Sequence, residues 1–377
     1  MMSRAQRSPF ADWWWTVDRW MLAALGTLMV LGLVLTLAGS PPVAERLGFS
    51  TFHFVNRQVL FLIPSAALLL ATSFLTPRQV RRSALIVFLV GMALIAAALV
   101  FGHEVKGARR WIFGIQPSEF VKPAFVVLVA WAFSEGGKRR DVPANIMAIL
   151  LLIGTIGPLM LQPDFGQTML LSIVWAALFF AAGLHWMWVG GIGGLGLGGA
   201  FVAYKFVPHV RERIEKFLDP GVSGSSPSAT FQVDTAMDSF IQGGWFGKGP
   251  GEGTLKRVLP DSHTDFIFAV TGEEFGVVVC ICIVALFCFI VMRGMLSAMR
   301  NEDPFCRFAT AGLAMLFGLQ SCINMAVNVH LMPAKGMTLP FISYGGSSLI
   351  SLALTMGFFL AVARKRPKAE IMTRVDA

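Results

Sequence analysis

Ala84 to Gly102 reads ALIVFLVGMALIAAALVFG, nineteen residues without one charged side chain. As a helix that run spans about 30 Å, the thickness of a bilayer's hydrocarbon core. A lone spanning segment must satisfy its own backbone polar groups there, so it is read as a transmembrane helix. Nine further apolar windows centre on residues 21–39, 58–76, 117–134, 144–162, 167–184, 186–207, 266–291, 306–328 and 345–363. Very short connections around the fifth to seventh leave the count between nine and eleven. Composition points the same way. Apolar residues make up 55% of the 377 and charged residues 14%, against roughly a quarter charged in soluble domains. Mean hydropathy is +0.67. The expected fold is an all-α integral membrane protein of about ten transmembrane helices with one large extracytoplasmic loop.

Residues 1–20 carry Arg4, Arg7 and Asp12 before Trp13, Trp14 and Trp15, which reads as a cytoplasmic lead into an interfacial aromatic anchor rather than a cleavable signal. The membrane domain then covers 21–364, and 365–377 is a basic tail. Five cysteines (Cys280, Cys282, Cys288, Cys306 and Cys322) sit in or beside the eighth and ninth windows without metal-site spacing, and read as small apolar packing. Ten spans put both termini on one side. On that side lie 17 of the 31 Lys and Arg, clustered at Arg78, Arg81 and Arg82, at Lys138, Arg139 and Arg140, at Arg293, Arg300 and Arg307, and in the tail. The positive-inside rule therefore places both termini in the cytoplasm. Of the remaining cations, Lys106, Arg109, Arg110 and Lys122 gather near the third-to-fourth connection, and six more lie in the long loop. An anionic ligand at the outer face explains them, as does attraction to anionic headgroups.

The long loop covers about 208–264. Val210, Ile214, Phe217 and Leu218 form the apolar edge of an amphipathic helix, Gly221 to Ser228 is a linker, and 231–241 suggests a second short helix. The glycine run 247–253 is either a flexible turn or a backbone nest for phosphate. Gly191-Ile-Gly-Gly-Leu-Gly196 matches G-x-G-x-x-G but lies inside an apolar span. It is read as a surface for close helix packing.

Chemistry-bearing residues collect on the outer side. Gln116-Pro117 opens a helix that places Glu119 and Lys122 on one face, either as a functional group or as a structural ion pair. Trp111 beside Arg109 and Arg110 is an interfacial anchor or a platform for a sugar. Asp164 follows Gln162-Pro163 in a short turn, where Asp is common. Asp265 closes the polar loop and opens a membrane helix. It could cap that helix, but His263, Glu273 and Glu274 beside it exceed what capping requires. The stretch 332–348 reads as a re-entrant-like loop offering Lys335 and hydroxyls including Ser343.

The strings QPSEFVKP (116–123), QPDFGQT (162–168), GGWFGKGPGEG (243–253), LPDSHTDFIFAV (259–270) and KGMTLPFISYGGSS (335–348), in that order and spacing, resemble the SEDS (shape, elongation, division and sporulation) family. Phe165, Gln167 and Thr338 to Phe341 resemble its division member more than its elongation member. The resemblance implies a ten-span peptidoglycan glycosyltransferase that polymerises lipid II, the undecaprenyl-pyrophosphate-linked disaccharide pentapeptide, at the outer face of the cytoplasmic membrane. It further implies a class B penicillin-binding transpeptidase as partner, with other membrane proteins of the division machinery and no nucleic acid. The family's functional acid falls on Asp265, and supporting residues fall on Trp111, Glu119, Lys122, Arg109, Arg110 and Asp164. Chemically, such a transfer needs a base for the acceptor hydroxyl and cations for the departing pyrophosphate. Asp265 supplies the first; Lys122, Arg109, Arg110 and Lys335 supply the second. A divalent ion, Mg or Mn, held by Asp265 against the pyrophosphate is the alternative role for that carboxylate.

Overall fold

The computed structural model describes residues 8–105, 108–139, 141, 143–183, 186–206, 211, 228–333 and 336–365. A short helix α1 (Pro9–Thr16) precedes α2 (Arg19–Gly39), and α3 (Pro41–Arg46) leads into α4 (His53–Ser73) and α5 (Pro77–Phe101). An antiparallel hairpin follows, β1 (His103–Val105) and β2 (Ala108–Trp111), and then α6 (Pro117–Lys138), α7 (Ala144–Leu161), α8 (Phe165–Ala181) and α9 (Trp186–Phe206). The remaining helices are α10 (Ser228–Gly243), α11 (Ile267–Met299), α12 (Pro304–Asn328) and α13 (Gly346–Ala363). Eight are long and apolar enough to cross a membrane. With α8 and α9 they make the ten spans expected.

Burial separates inner from outer helices. Along α5 only Val80, Ala84, Gly91, Ile95 and Ala98 are buried, one stripe at helical spacing, while Ile86, Leu89, Val90 and Phe101 face outward. An apolar outer face is what lipid permits and water would not. In α6, Val121 and Ala124 to Ala130 are buried on every side, so this helix forms the centre with α12 and α13. Gly32 lets α2 lie directly on the 336–345 loop, where an added Cβ would come 2.1 Å from Phe341 O. That loop is non-helical yet buried, with Leu339 and Ile342 fully covered, as backbone at membrane depth requires.

The two ends of the bundle are joined differently. At one end α1 acts as a strap that the sequence did not suggest: Trp13 Nε1 donates to Ser73 Oγ at 2.9 Å, Arg364 Nε to Thr16 Oγ1 at 2.9 Å, and Arg293 pairs with Asp18 at 2.6 Å. At the other end lie the hairpin, the turn before α8, and the loops before α11 and α13. Helix α9 departs from expectation. An added Cβ at Gly190, Gly191, Gly193, Gly194, Gly196, Gly198 or Gly199 would meet no atom within 4 Å, so its glycine surface packs on no other helix among the described residues. The amphipathic stretch 210–218 and its linker fall outside the described residues apart from Arg211 and Ser228; the second loop helix is α10, which Ser228 opens.

Helix α11 breaks at Gly276, whose φ of 82° and ψ of 173° belong to a region open only to glycine. The break strands backbone groups on both sides, and the loop after α10 takes them up. Lys248 N and Gly249 N donate to Glu273 O and Glu274 O at 2.9 and 3.0 Å; Val277 N and Val278 N donate to Gly244 O and Trp245 O at 3.0 and 3.3 Å.

Candidate active site

Pro117 at the start of α6 places Glu119 in the first turn, with Lys122 on the same face. Their side chains pair at 2.8 Å, and the two residues are only 5% and 2% exposed. An isolated charge this deep would be untenable, and each partner is further satisfied from a different span. Gln167 Nε2 of α8 donates to Glu119 Oε1 at 2.6 Å, and Lys122 Nζ donates to Gln320 Oε1 of α12 at 2.9 Å. Ser351 Oγ of α13 donates to Glu119 O at 2.6 Å. Four helices therefore converge on one ion pair.

The hairpin covers this centre. Arg110 lies 3.8 Å from Asp164 Oδ1 and donates through Nε to Gln162 O at 3.0 Å. Asp164 both caps α8, accepting from Gln167 N, and binds the hairpin. Burial pushes its carboxyl above the usual range, and Arg110 partly offsets the rise. Arg109 is half-exposed and 3.8 Å from Glu104. Trp111, 39% exposed, joins Leu94, Ala97, Phe101, Ile112 and Phe113 in lining a groove of about 270 Å³.

Asp265 stands apart from this wall, on a turn gathered around Asp261 O, which accepts from Thr264 N, Asp265 N and Phe266 N. The 336–345 loop grips that turn. Ser343 Oγ donates to Thr264 O at 2.5 Å while accepting from Leu339 N, and Tyr344 N donates to His263 O at 3.0 Å. Ser343 is thus engaged internally. The Asp265 side chain faces Gly336, where an added Cβ would lie 3.7 Å from Oδ2. The adjoining Lys335 is outside the described residues. The 336–345 loop also reaches the wall, because Gln320 Nε2 donates to Thr338 O at 3.2 Å.

His263 is packed rather than presented. Its ring lies 4.5 Å from Phe54 and 5.4 Å from Tyr344, it is 8% exposed, and Nδ1 has no hydrogen-bond partner. Burial lowers its pKa from 6.5 to about 4. The folded protein therefore keeps the ring neutral where the unfolded chain takes up a proton. Stability is expected to fall as pH drops from 6.5 to about 4, by roughly 3 kcal/mol in all. Melting temperature followed from pH 7 to 4.5 should show this loss, and His263→Phe should flatten it; an unchanged slope in the variant would contradict it.

A backbone cradle forms at the end of the glycine run and just beyond it, from Gly251 N and from Thr254, Leu255 and Lys256 N, and it holds the chain's own carboxylates rather than a phosphate. Glu273 Oε1 accepts from Thr254 N and Leu255 N at 2.6 and 2.9 Å, and Oε2 from Lys256 N at 3.3 Å. Glu274 accepts from Gly251 N at 3.2 Å and pairs with Lys256 Nζ, which also donates to Ala38 O at 3.0 Å. These two acids anchor the loop that ends in Asp265. Gln167 and Gln320 are the residues sequence reasoning passed over. Their signal was present: an amide inside an otherwise apolar span needs a buried partner. Among the described residues no three His, Cys, Asp or Glu side chains gather into a metal cage.

A bundle of apolar helices around a wall of buried, paired charges, with one carboxylate on a braced turn at the same end, defines a polytopic membrane protein built around polar chemistry at one membrane face. The model of the family described as "Cell cycle protein" (FTSW_RODA_SPOVE) matches residues 18–368, and the chain belongs to that family. It is 45% identical over 372 residues to a probable peptidoglycan glycosyltransferase FtsW of Caulobacter vibrioides, covering 97% of this chain and 94% of that one. A protein of the same description from Trichlorobacter lovleyi is 34% identical, covering 92% and 93%. Among solved structures, a chain described under "Structural coordination of polymerization and crosslinking by a peptidoglycan synthase complex" superposes with TM-score 0.77 at 26% identity, covering 92% and 97%. The rod shape determining protein RodA of Thermus thermophilus gives 0.66 at 27%, covering 92% and 96%.

Proposed function

We propose that this chain is a peptidoglycan glycosyltransferase that joins lipid II into β-1,4-linked glycan strands during septal wall synthesis. The observation that carries the reading is the placement of Asp265 on a turn fixed by hydrogen bonds, at the same end of the bundle as the Glu119–Lys122 and Arg110–Asp164 pairs. In the reaction the acceptor sugar's 4-hydroxyl attacks the donor's anomeric carbon. Asp265 takes the hydroxyl proton, the bond to the pyrophosphate oxygen breaks, and the α-linked donor becomes a β-linked product by inversion. The leaving group is already an anion, so no paired acid of the glycosidase kind is needed. Arg109 is the exposed cation for it. Arg110 and Lys122, held by Asp164 and Glu119, act through their field, and Trp111 offers a face for sugar or lipid.

Among the described residues no metal cage forms around Asp265, so a divalent ion there would take most of its ligands from the pyrophosphate itself. No step here passes through a metal. The solved complex supports a partner that cross-links strands, here a class B penicillin-binding transpeptidase among other division proteins. The cation clusters at the strap end support cytoplasmic termini, with residues 1–20 and 365–377 inside and the loop at about 208–264 outside, so that the site opens outward. Purified protein with its transpeptidase is expected to convert lipid II into β-1,4-linked strands, and linkage analysis reads the outcome. An α-linked product would sink inversion. Transfer of lipid II across a vesicle membrane without any new glycosidic bond would make the protein a flippase instead.

A further inference from the structure

Three carboxamides stand on one face of α12 at i, i+4 and i+8: Gln320, Asn324 and Asn328, exposed 2%, 2% and 0%. Gln320 joins Lys122 to Thr338. Asn324 divides its amide protons between Asp265 O at 2.9 Å and Met337 O at 2.6 Å. Asn328 donates to Asp265 O and to Asn324 O, each at 2.9 Å, while its Oδ1 accepts from Ala269 N at 3.1 Å. Turning either Asn amide over would set oxygen against carbonyl oxygen, so the network fixes their orientation.

The pattern at Ala269 is the informative one. Ala269 N–H is a first-turn donor of α11, and it is shared between Phe266 O and Asn328 Oδ1, each at 3.1 Å. The Asn328 carboxamide thus bridges Ala269 N and Asp265 O, accepting from one and donating to the other. Asp265 is thereby held outside the first turn of α11 by a different span. Two buried amides of one span therefore fix the Asp265 carbonyl, and with it the turn that carries the carboxylate. Through Gln320, the same helix face also fixes Lys122 and the loop that Asp265 faces.

We infer that Asn324 and Asn328 are positioning residues for catalysis, setting the Asp265 carboxylate relative to the Lys122 wall and the 336–345 loop. The inference rests on the catalytic reading of Asp265. Neither residue touches substrate. Each acts through the Asp265 carbonyl, and small displacements of a reacting group are enough to slow a reaction strongly.

Asn324→Asp and Asn328→Asp keep side-chain size and replace the donor with an acceptor. In the full-length protein with its transpeptidase, both are expected to lower kcat for lipid II by about 30-fold or more, with KM within about threefold. Melting temperature should fall in both, since each sets carboxylate oxygen against carbonyl oxygen at a buried site, and rates are compared at a temperature where the variants remain folded. Asn324→Ala should be as slow as Asn324→Asp, since the donor is lost in both; a packing role would instead let Asp rescue Ala. Ser321→Ala is the control. It removes a buried hydroxyl beside the ladder that bonds only back to Phe317 O at 2.8 Å, and should retain wild-type kcat. Where Asn328→Asp does not fold, Asn324→Asp decides alone, because it leaves the Ala269 bond in place. Folded Asp variants with wild-type kcat, measured beside an inactive Asp265→Asn, would overturn the inference. An Asp265→Asn protein that polymerises at full rate would remove the catalytic reading and the inference with it.

Discussion

Lys122→Met is expected to destabilise the protein by about 3–5 kcal/mol, because it leaves the Glu119 carboxylate buried without its cation. Glu119 would keep Gln167 Nε2 at 2.6 Å, but one amide donor does not replace an ammonium at 2.8 Å. Polymerisation should be lost as well, since Gln320 loses the ammonium that it accepts from and the wall loses its positive field. The double variant Glu119→Gln/Lys122→Met separates the two effects. With no charge left to bury, it should recover most of the melting temperature of wild type while remaining inactive. A single Lys122→Met variant as stable as wild type would mean that the pair is solvated, contrary to its burial. A double variant with normal activity would remove the wall from the mechanism.

Gly276→Ala is expected to cost more than about 4 kcal/mol or to prevent folding, a size reached only by a few mechanisms. Two of them act together here. The backbone at Gly276 lies at φ 82°, and a Cβ there would come 2.3 Å from Trp245 O and 2.5 Å from Gly247 N. Both neighbours are backbone atoms of the loop that takes up the broken helix's free groups, so neither can swing aside as a side chain could. Relieving the clash means releasing the bonds of Val277 and Val278, and with them the frame leading to Asp265. Gly26→Ala is the matching control, since an added Cβ there meets no atom within 4 Å. It should leave melting temperature unchanged or slightly raised, Ala being the better helix former. Equal stability of the two variants would show that α11 runs unbroken through residue 276.

The spans were legible because lipid imposes one rule on every outward face. The window at 84–102 became α5 (Pro77–Phe101), and the one at 266–291 became α11, which simply runs on to Met299. The Glu119–Lys122 pair was readable because both members share one helix turn. Their partners Gln167 and Gln320 were not, since which spans meet is decided by tertiary packing. The glycine run shows the opposite difficulty. Backbone donors there were foreseeable, but most of the cradle forms just past the glycines at Thr254 to Lys256, and its occupants, the carboxylates of Glu273 and Glu274, lie some twenty residues on. His263 looked like part of an open site by its nearness to Asp265 in sequence. In the fold its ring turns between Phe54 and Tyr344, while its carbonyl holds the loop. The glycines of α9 were read as a packing surface because glycine often serves that purpose, and composition does not say whether a second helix is there to meet them.

The most direct test is glycan polymerisation from purified lipid II by wild-type protein and Asp265→Asn, each with its transpeptidase and with cross-linking blocked. Wild type should produce long strands. Asp265→Asn, folded and with wild-type melting temperature, should be slower by at least about 100-fold, the lower bound for losing a general base. Equal rates from the two proteins would contradict the account and move the chemistry to Glu119 or Asp164.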